Sequence, residues 1–112
     1  LDFGYTIEGK SDLKPLRVYN DGIKTYIQMP KNMKFYEAPS LMILDKNNNK
    51  EIVNYRLKFD TFIVDRLFSK AILISGVEDK GIIIKKMSNK INQEIVNNVL
   101  YDLSLKNEEK GN

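Results

Sequence analysis

From Phe3 to Lys86 the chain runs as short stretches of Tyr, Ile, Val and Phe, broken by turn residues every eight to twelve positions. That spacing predicts an all-β fold of sandwich or barrel type, because a strand crosses a sheet in a few residues and then needs a turn to come back. Phe3, Tyr5 and Ile7 alternate with Gly4 and Thr6, the period-two pattern of a half-buried first strand, which Gly9 ends. Pro15 opens the next segment, where Leu16-Arg17-Val18-Tyr19 leads into Asn20-Asp21-Gly22. The Asp21-Gly22 pair predicts a tight hairpin, since Gly22 can take the positive φ that such a turn demands. The returning strand is Lys24 to Met29, stopped by Pro30.

Residues 31–40 show no periodicity and contain Pro39, so they read as a long surface connection. Further strands are predicted at Leu41 to Leu44, along one run through Ile52, Val53, Tyr55 and Leu57 to a break at Asp60, at Phe62 to Val64, at Ala71 to Ile74 and at Gly81 to Lys86. With no helix between them, these strands pair antiparallel. The tail changes character. After a capping Ser88, the apolar residues Ile91, Ile95, Val99 and Leu103 recur every four positions, with Asn92, Gln93, Asn97, Asn98 and Asp102 opposite them. This predicts an amphipathic helix of about four turns. Its Asn content weakens it, so it docks on a neighbouring subunit, folds back on the sandwich or stays disordered. The chain therefore divides into a β-domain over 1–87 and a helical tail over 88–112.

Composition mainly excludes. At 112 residues, 42% hydrophobic and 29% charged, the chain can bury a core as one domain. No apolar run approaches the roughly 18 residues of a membrane helix. Cysteine and histidine are absent, which removes disulfides, Cys and His nucleophile chemistry and nearly every transition-metal site. The net charge is +3 and the isoelectric point about 9.0, yet the charge is spread. Residues 88–112 carry three Lys against four Asp and Glu; only Lys85 and Lys86 adjoin, and the three Arg are isolated. A nucleic-acid surface needs clustered cations interleaved with aromatics, so that reading rests only on the isoelectric point and the tyrosines. A sandwich that binds carbohydrate or a pilus is a further alternative. Leu1 in place of an initiator Met is what a fragment or processed chain shows, so a missing signal peptide says nothing about compartment.

The local chemical motifs are weak. Asp45-Lys46-Asn47-Asn48-Asn49 matches the first half of a calcium loop, but Lys50 stands where Gly is needed and Arg56 where Glu is needed. An exposed β-turn is the better reading. Asp65-Arg66 could pair an acid with an anion clamp; as strand neighbours they point to opposite faces, which favours structural roles, with Asp65 accepting backbone N–H groups and Arg66 reaching a carboxylate. Ser69 and Ser75 have no histidine to activate them, and Gly76 and Gly81 are isolated turn glycines. Tyr5, Tyr19, Tyr26, Tyr36 and Tyr55 could form a ligand platform, but on strands such residues more often pack across strands.

Three stretches carry a resemblance: Tyr5-Thr6-Ile7-Glu8-Gly9; Pro15-Leu16-Arg17-Val18-Tyr19-Asn20-Asp21-Gly22-Ile23-Lys24-Thr25-Tyr26-Ile27-Gln28-Met29-Pro30; and Val53-Asn54-Tyr55-Arg56 with Phe62-Ile63-Val64-Asp65-Arg66-Leu67-Phe68. With Ala71, Leu73 and Gly76, they resemble the C-terminal domain of the TrbG/CagX family, which includes the ninth VirB protein of type IV secretion systems. The likeness covers Phe3 to about Lys86. It implies an immunoglobulin-like antiparallel β-sandwich without catalytic residues, cofactor or metal, in the periplasm at the outer membrane of a Gram-negative bacterium. It also implies a homo-oligomeric ring joined by a short outer-membrane lipoprotein and a VirB-ten-type channel protein, with no direct nucleic-acid contact. On this reading Phe3, Tyr5, Thr6 and Ile7 offer an open strand edge to the lipoprotein, and Ile91, Ile95, Val99 and Leu103 offer helical anchors to a neighbour. Asp21, Gly22, Asp65 and Arg66 are structural. The family's last strand usually ends in Arg rather than Lys85-Lys86, and the tail from Ser88 has no counterpart in it.

Overall fold

The computed structural model describes residues 1–34, 38–76, 81–88 and 97–103. Its strands are β1 (Tyr5–Glu8), β2 (Arg17–Asn20), β3 (Thr25–Gln28), β4 (Ser40–Leu44), β5 (Lys50–Ile52), β6 (Tyr55–Lys58), β7 (Thr61–Val64), β8 (Lys70–Ile74) and β9 (Ile82–Lys86). They form two antiparallel sheets, one ordered β1-β9-β8-β4-β5 and the other β2-β3-β7-β6. This is the all-β sandwich expected from the spacing of the apolar runs.

The core lies between the sheets. Val18, Ile27, Met29, Phe62 and Val64 project from one, and Leu41, Ile43, Ala71, Leu73, Ile82 and Ile84 from the other, with Phe68 among them. Each set comes from alternate strand positions, as the pleat requires. Among the described residues, two polar side chains are buried with them, and both are partnered: Thr25 Oγ1 donates to the Arg66 carbonyl at 2.9 Å, and Asn20 Nδ2 donates to the Tyr5 hydroxyl at 2.7 Å. The run from Ile52 to Leu57, read above as one strand, is two. β5 pairs with β4, whereas β6 pairs with β7 in the other sheet, so Val53 and Asn54 carry the chain across the sandwich. Period-two alternation shows a strand but not which sheet it joins, so the crossing left no mark in the pattern.

Three hairpin loops are described in full. Asp21 and Lys24 close the β2–β3 loop, where the Asp21 N–H donates to the Lys24 carbonyl at 3.2 Å and Gly22 has φ +91°. In the β4–β5 loop, Asp45 Oδ1 accepts the Asn47 and Asn49 N–H groups, each at 2.8 Å, and Asn48 has φ +63°. The Asp45 carboxylate thus organises its own turn, as the exposed-turn reading required. The β6–β7 hairpin closes at Lys58 and Thr61 and holds Phe59 at φ +57°. Of the tail, residues 97–103 form helix α1; the predicted positions Ile91 and Ile95 lie outside the described residues.

Candidate partner-binding surface

β1 is an edge strand: it pairs with β9 and, among the described residues, has no strand on its other side. Tyr5 and Ile7 are half-buried on its inner face, while Thr6 and Glu8 are exposed on the outer one. The segment before it crosses between the sheets. Asp2 exchanges two backbone hydrogen bonds with Asn20 at the edge of the second sheet, both 2.9 Å, before the chain turns into β1 of the first. Lys86 fastens this strap: its Nζ lies 2.8 Å from Asp2 Oδ2, donates to the Gly4 carbonyl at 3.2 Å and sits 5.3 Å from the centre of the Tyr5 ring. The Asp2 carboxyl is held below its ordinary value, first by the Lys86 hydrogen bond and then by the Gly4 N–H. Phe3 lies outside the strand and packs on Tyr19, which stacks on Tyr26 with ring centres 5.1 Å apart.

The ladder determines which backbone groups face the open edge. In an antiparallel pair, alternate residue pairs exchange hydrogen bonds. The Met87 N–H donates to the Gly4 carbonyl at 2.8 Å, and Thr6 stands opposite Lys85 two positions on, so the Thr6 N–H points at β9. Lys86 fits this phase, because its N–H turns the other way, to Ser69 at 2.8 Å. An outward-facing Thr6 N–H, which an edge role for that residue would need, is therefore not what the register gives. The Ile7 N–H and carbonyl and the Tyr5 carbonyl face outward instead, and the Tyr5 N–H bonds back to Phe3 at 2.8 Å.

The structural residues sit as follows. Asp21 Oδ1 accepts from the Ile23 and Lys24 N–H groups at 2.9 and 2.7 Å, and its other oxygen accepts from the Tyr26 hydroxyl at 3.1 Å. These contacts, the Lys24 N–H first, hold its carboxyl below the ordinary value. Asp65 and Arg66 lie just past the end of β7 and border one groove, so strand alternation does not separate them. Asp65 lies 3.7 Å from the Lys24 ammonium, and Arg66 Nε donates to the Leu67 carbonyl at 3.1 Å rather than to a carboxylate. Both contacts are exposed and add little stability; the Arg66 carbonyl bonded to buried Thr25 is the stronger tie. The tyrosines pack on other rings: Tyr5 on Phe68 of the β7–β8 loop at 5.9 Å, and Tyr55 edge-on to Phe62 of the neighbouring strand at 5.5 Å. Tyr36 lies outside the described residues. Val99 and Leu103 on α1 are both more than half exposed. Among the described residues, no cluster of acidic side chains is placed to hold a metal ion.

A family model described as a conjugal transfer protein, CagX, matches residues 1–87. A probable conjugal transfer protein TrbG of Sinorhizobium fredii (strain NBRC 101917 / NGR234) is 47% identical over 77 residues, covering 69% of this chain and 28% of that relative. The chain belongs to the CagX family of conjugal transfer proteins. It spans well under two thirds of that relative's length. The CagX match ends one residue beyond β9, so it takes in the whole sandwich and stops before α1. Within this CagX domain the strap was not legible: Asp2 and Lys86 are 84 positions apart, and nothing in local patterning links them. Among the described helices, none is long and apolar enough to cross a membrane, which says nothing of β-barrels.

Proposed function

We propose that this chain is a non-enzymatic structural subunit of a type IV secretion outer-membrane core complex, working in the periplasm against the outer membrane. The observation that supports this most is the coincidence of the family match with the complete sandwich. A domain of this kind acts by presenting surfaces. The β1 edge is the surface for a short lipoprotein: an extended segment adds beside Ile7 and Tyr5, takes affinity from their main-chain groups and specificity from side chains around Phe3. A VirB-ten-type channel protein and further copies of the chain occupy other faces of a ring, and the exposed Val99 and Leu103 of α1, with Ile91 and Ile95 of the same predicted stripe, dock on a neighbour.

The test uses two proline variants. Ile7→Pro removes an outward N–H, which an edge strand tolerates, whereas Thr6→Pro removes a donor to β9. Calorimetric titration with a short outer-membrane lipoprotein of the same secretion system should show binding weakened at least tenfold for Ile7→Pro. Thr6→Pro should instead lower the melting temperature. Wild-type affinity for a folded Ile7→Pro protein would place the lipoprotein elsewhere.

A further inference from the structure

Little packing holds β1 in its sheet. Tyr5 and Ile7 are only half-buried, and among the described residues β9 alone pairs with the strand. An edge strand of four residues held so lightly frays. A frayed edge must be ordered again whenever a partner strand adds, which costs affinity. The strap works against this at the point where it enters β1. Asp2 Oδ1 accepts the Gly4 N–H at 2.8 Å, Oδ2 meets the Lys86 ammonium at 2.8 Å, and the same ammonium donates to the Gly4 carbonyl at 3.2 Å. Carboxylate, backbone and ammonium thus close a ring just before the strand begins.

The ring is tied to both sheets. Lys86 belongs to β9, and its ammonium lies 5.3 Å from the centre of the Tyr5 ring, within cation–π reach. Asp2 is bonded through its main chain to Asn20 of β2, and the Asn20 amide donates to the Tyr5 hydroxyl at 2.7 Å. Tyr5, whose carbonyl faces the open edge, is therefore held by the strap, by β9 and by β2. The Lys86 and Asp2 side chains are 21% and 45% exposed. A pair that wet adds little to global stability, so its effect is local to the strand it fastens.

We infer that the Asp2–Lys86 clasp keeps β1 seated on β9 and so presets the open edge for strand addition. Both are positioning residues: they act on the incoming segment through β1 and make no contact with it. This deepens the edge reading proposed for the lipoprotein and rests on it.

The test combines amide exchange and calorimetry on the full chain. The probe is a synthetic peptide of the extended segment of a short outer-membrane lipoprotein from the same secretion system. Lys86→Met keeps an unbranched apolar stem and removes the ammonium. The Gly4 carbonyl retains the Met87 N–H at 2.8 Å, so the variant orphans no backbone acceptor. In Lys86→Met the free Thr6 amide should exchange about tenfold faster and the peptide should bind about tenfold more weakly, while amides of β3 and β7 keep their protection. Lys86→Arg, which can still reach Asp2, should restore both. Thr6 protection and affinity at the wild-type level in Lys86→Met would overturn the clasp and leave β1 as the docking edge. Faster Thr6 exchange with unchanged affinity would overturn it too, as would lost protection in β3 and β7, the mark of a merely structural lysine. A wild-type chain whose Ile7 amide gains no protection from the peptide would instead sink the edge reading, and the clasp's role in binding with it.

Discussion

Two hairpins of the same sheet solve one geometric problem with different residues. Between β2 and β3 the positive φ falls on Gly22, and a Cβ there would meet nothing within 4 Å, so only the backbone conformation forbids a side chain. Asp21 then ties the loop by accepting three hydrogen bonds at its carboxylate. Between β6 and β7 the positive φ falls on Phe59, without such a carboxylate network at its own position. The first loop follows the local rules of turn chemistry. The second violates them at an exposed position, where burial cannot be the reason. Local rules that a chain breaks without a packing gain are where function is best sought.

The comparison can be broken most severely at Gly22. Gly22→Val forces a β-branched residue into the left-handed region and should cost on the order of 1–3 kcal/mol, seen as a melting point lower by several degrees. An unchanged melting point would mean the turn tolerates a negative φ. Thr25→Val removes the donor that links β3 to the Arg66 carbonyl, leaving a part-buried acceptor without that partner, and should cost about 1–2 kcal/mol in chemical denaturation. Phe59→Gly moves the other way. Relief of the positive φ outweighs the added freedom of glycine in the unfolded chain, for a gain of about 0.5–1 kcal/mol. If it destabilises instead, the two hairpins obey the same logic after all.

The smallest effect concerns acid. The Asp21 carboxyl is held below its ordinary value by the N–H groups of its own turn, so the folded state binds that proton less readily than the unfolded one. Its contribution is complete above the unfolded aspartate value and fades as pH falls through the lower folded value. The stability difference between wild type and Asp21→Asn should therefore begin to close as the pH drops below about 4. A difference independent of pH would assign the turn's stability to its backbone alone.

Much of this architecture was legible before any coordinates. Alternation at Tyr5 to Ile7, the Asp21-Gly22 pair and the apolar run at Leu41 to Leu44 each specify an element through local chemistry, although Phe3, read as part of the first strand, lies before it. What stayed hidden depends on long-range pairing. The strap needs Asp2 beside Asn20 and Lys86, and the outward direction of Ile7 rather than Thr6 depends on the phase of the β1–β9 ladder, fixed by Met87 and Gly4. Alternation says which face a side chain takes, not which side its N–H takes. Phe59 was hidden for another reason: a bulky residue carries no local signal of positive φ, so the break read at Asp60 located the turn without showing its strain.

Amide exchange measured residue by residue tests most directly whether β1 is a strand-accepting edge. In the free chain the Ile7 amide should exchange at nearly the unprotected rate, while the Thr6 amide, bonded to β9, is protected. Adding the lipoprotein segment should slow Ile7 at least tenfold and leave Thr6 as it was. An Ile7 amide that exchanges equally fast with the lipoprotein bound, while amides of another strand edge become protected, would contradict the assignment of this edge.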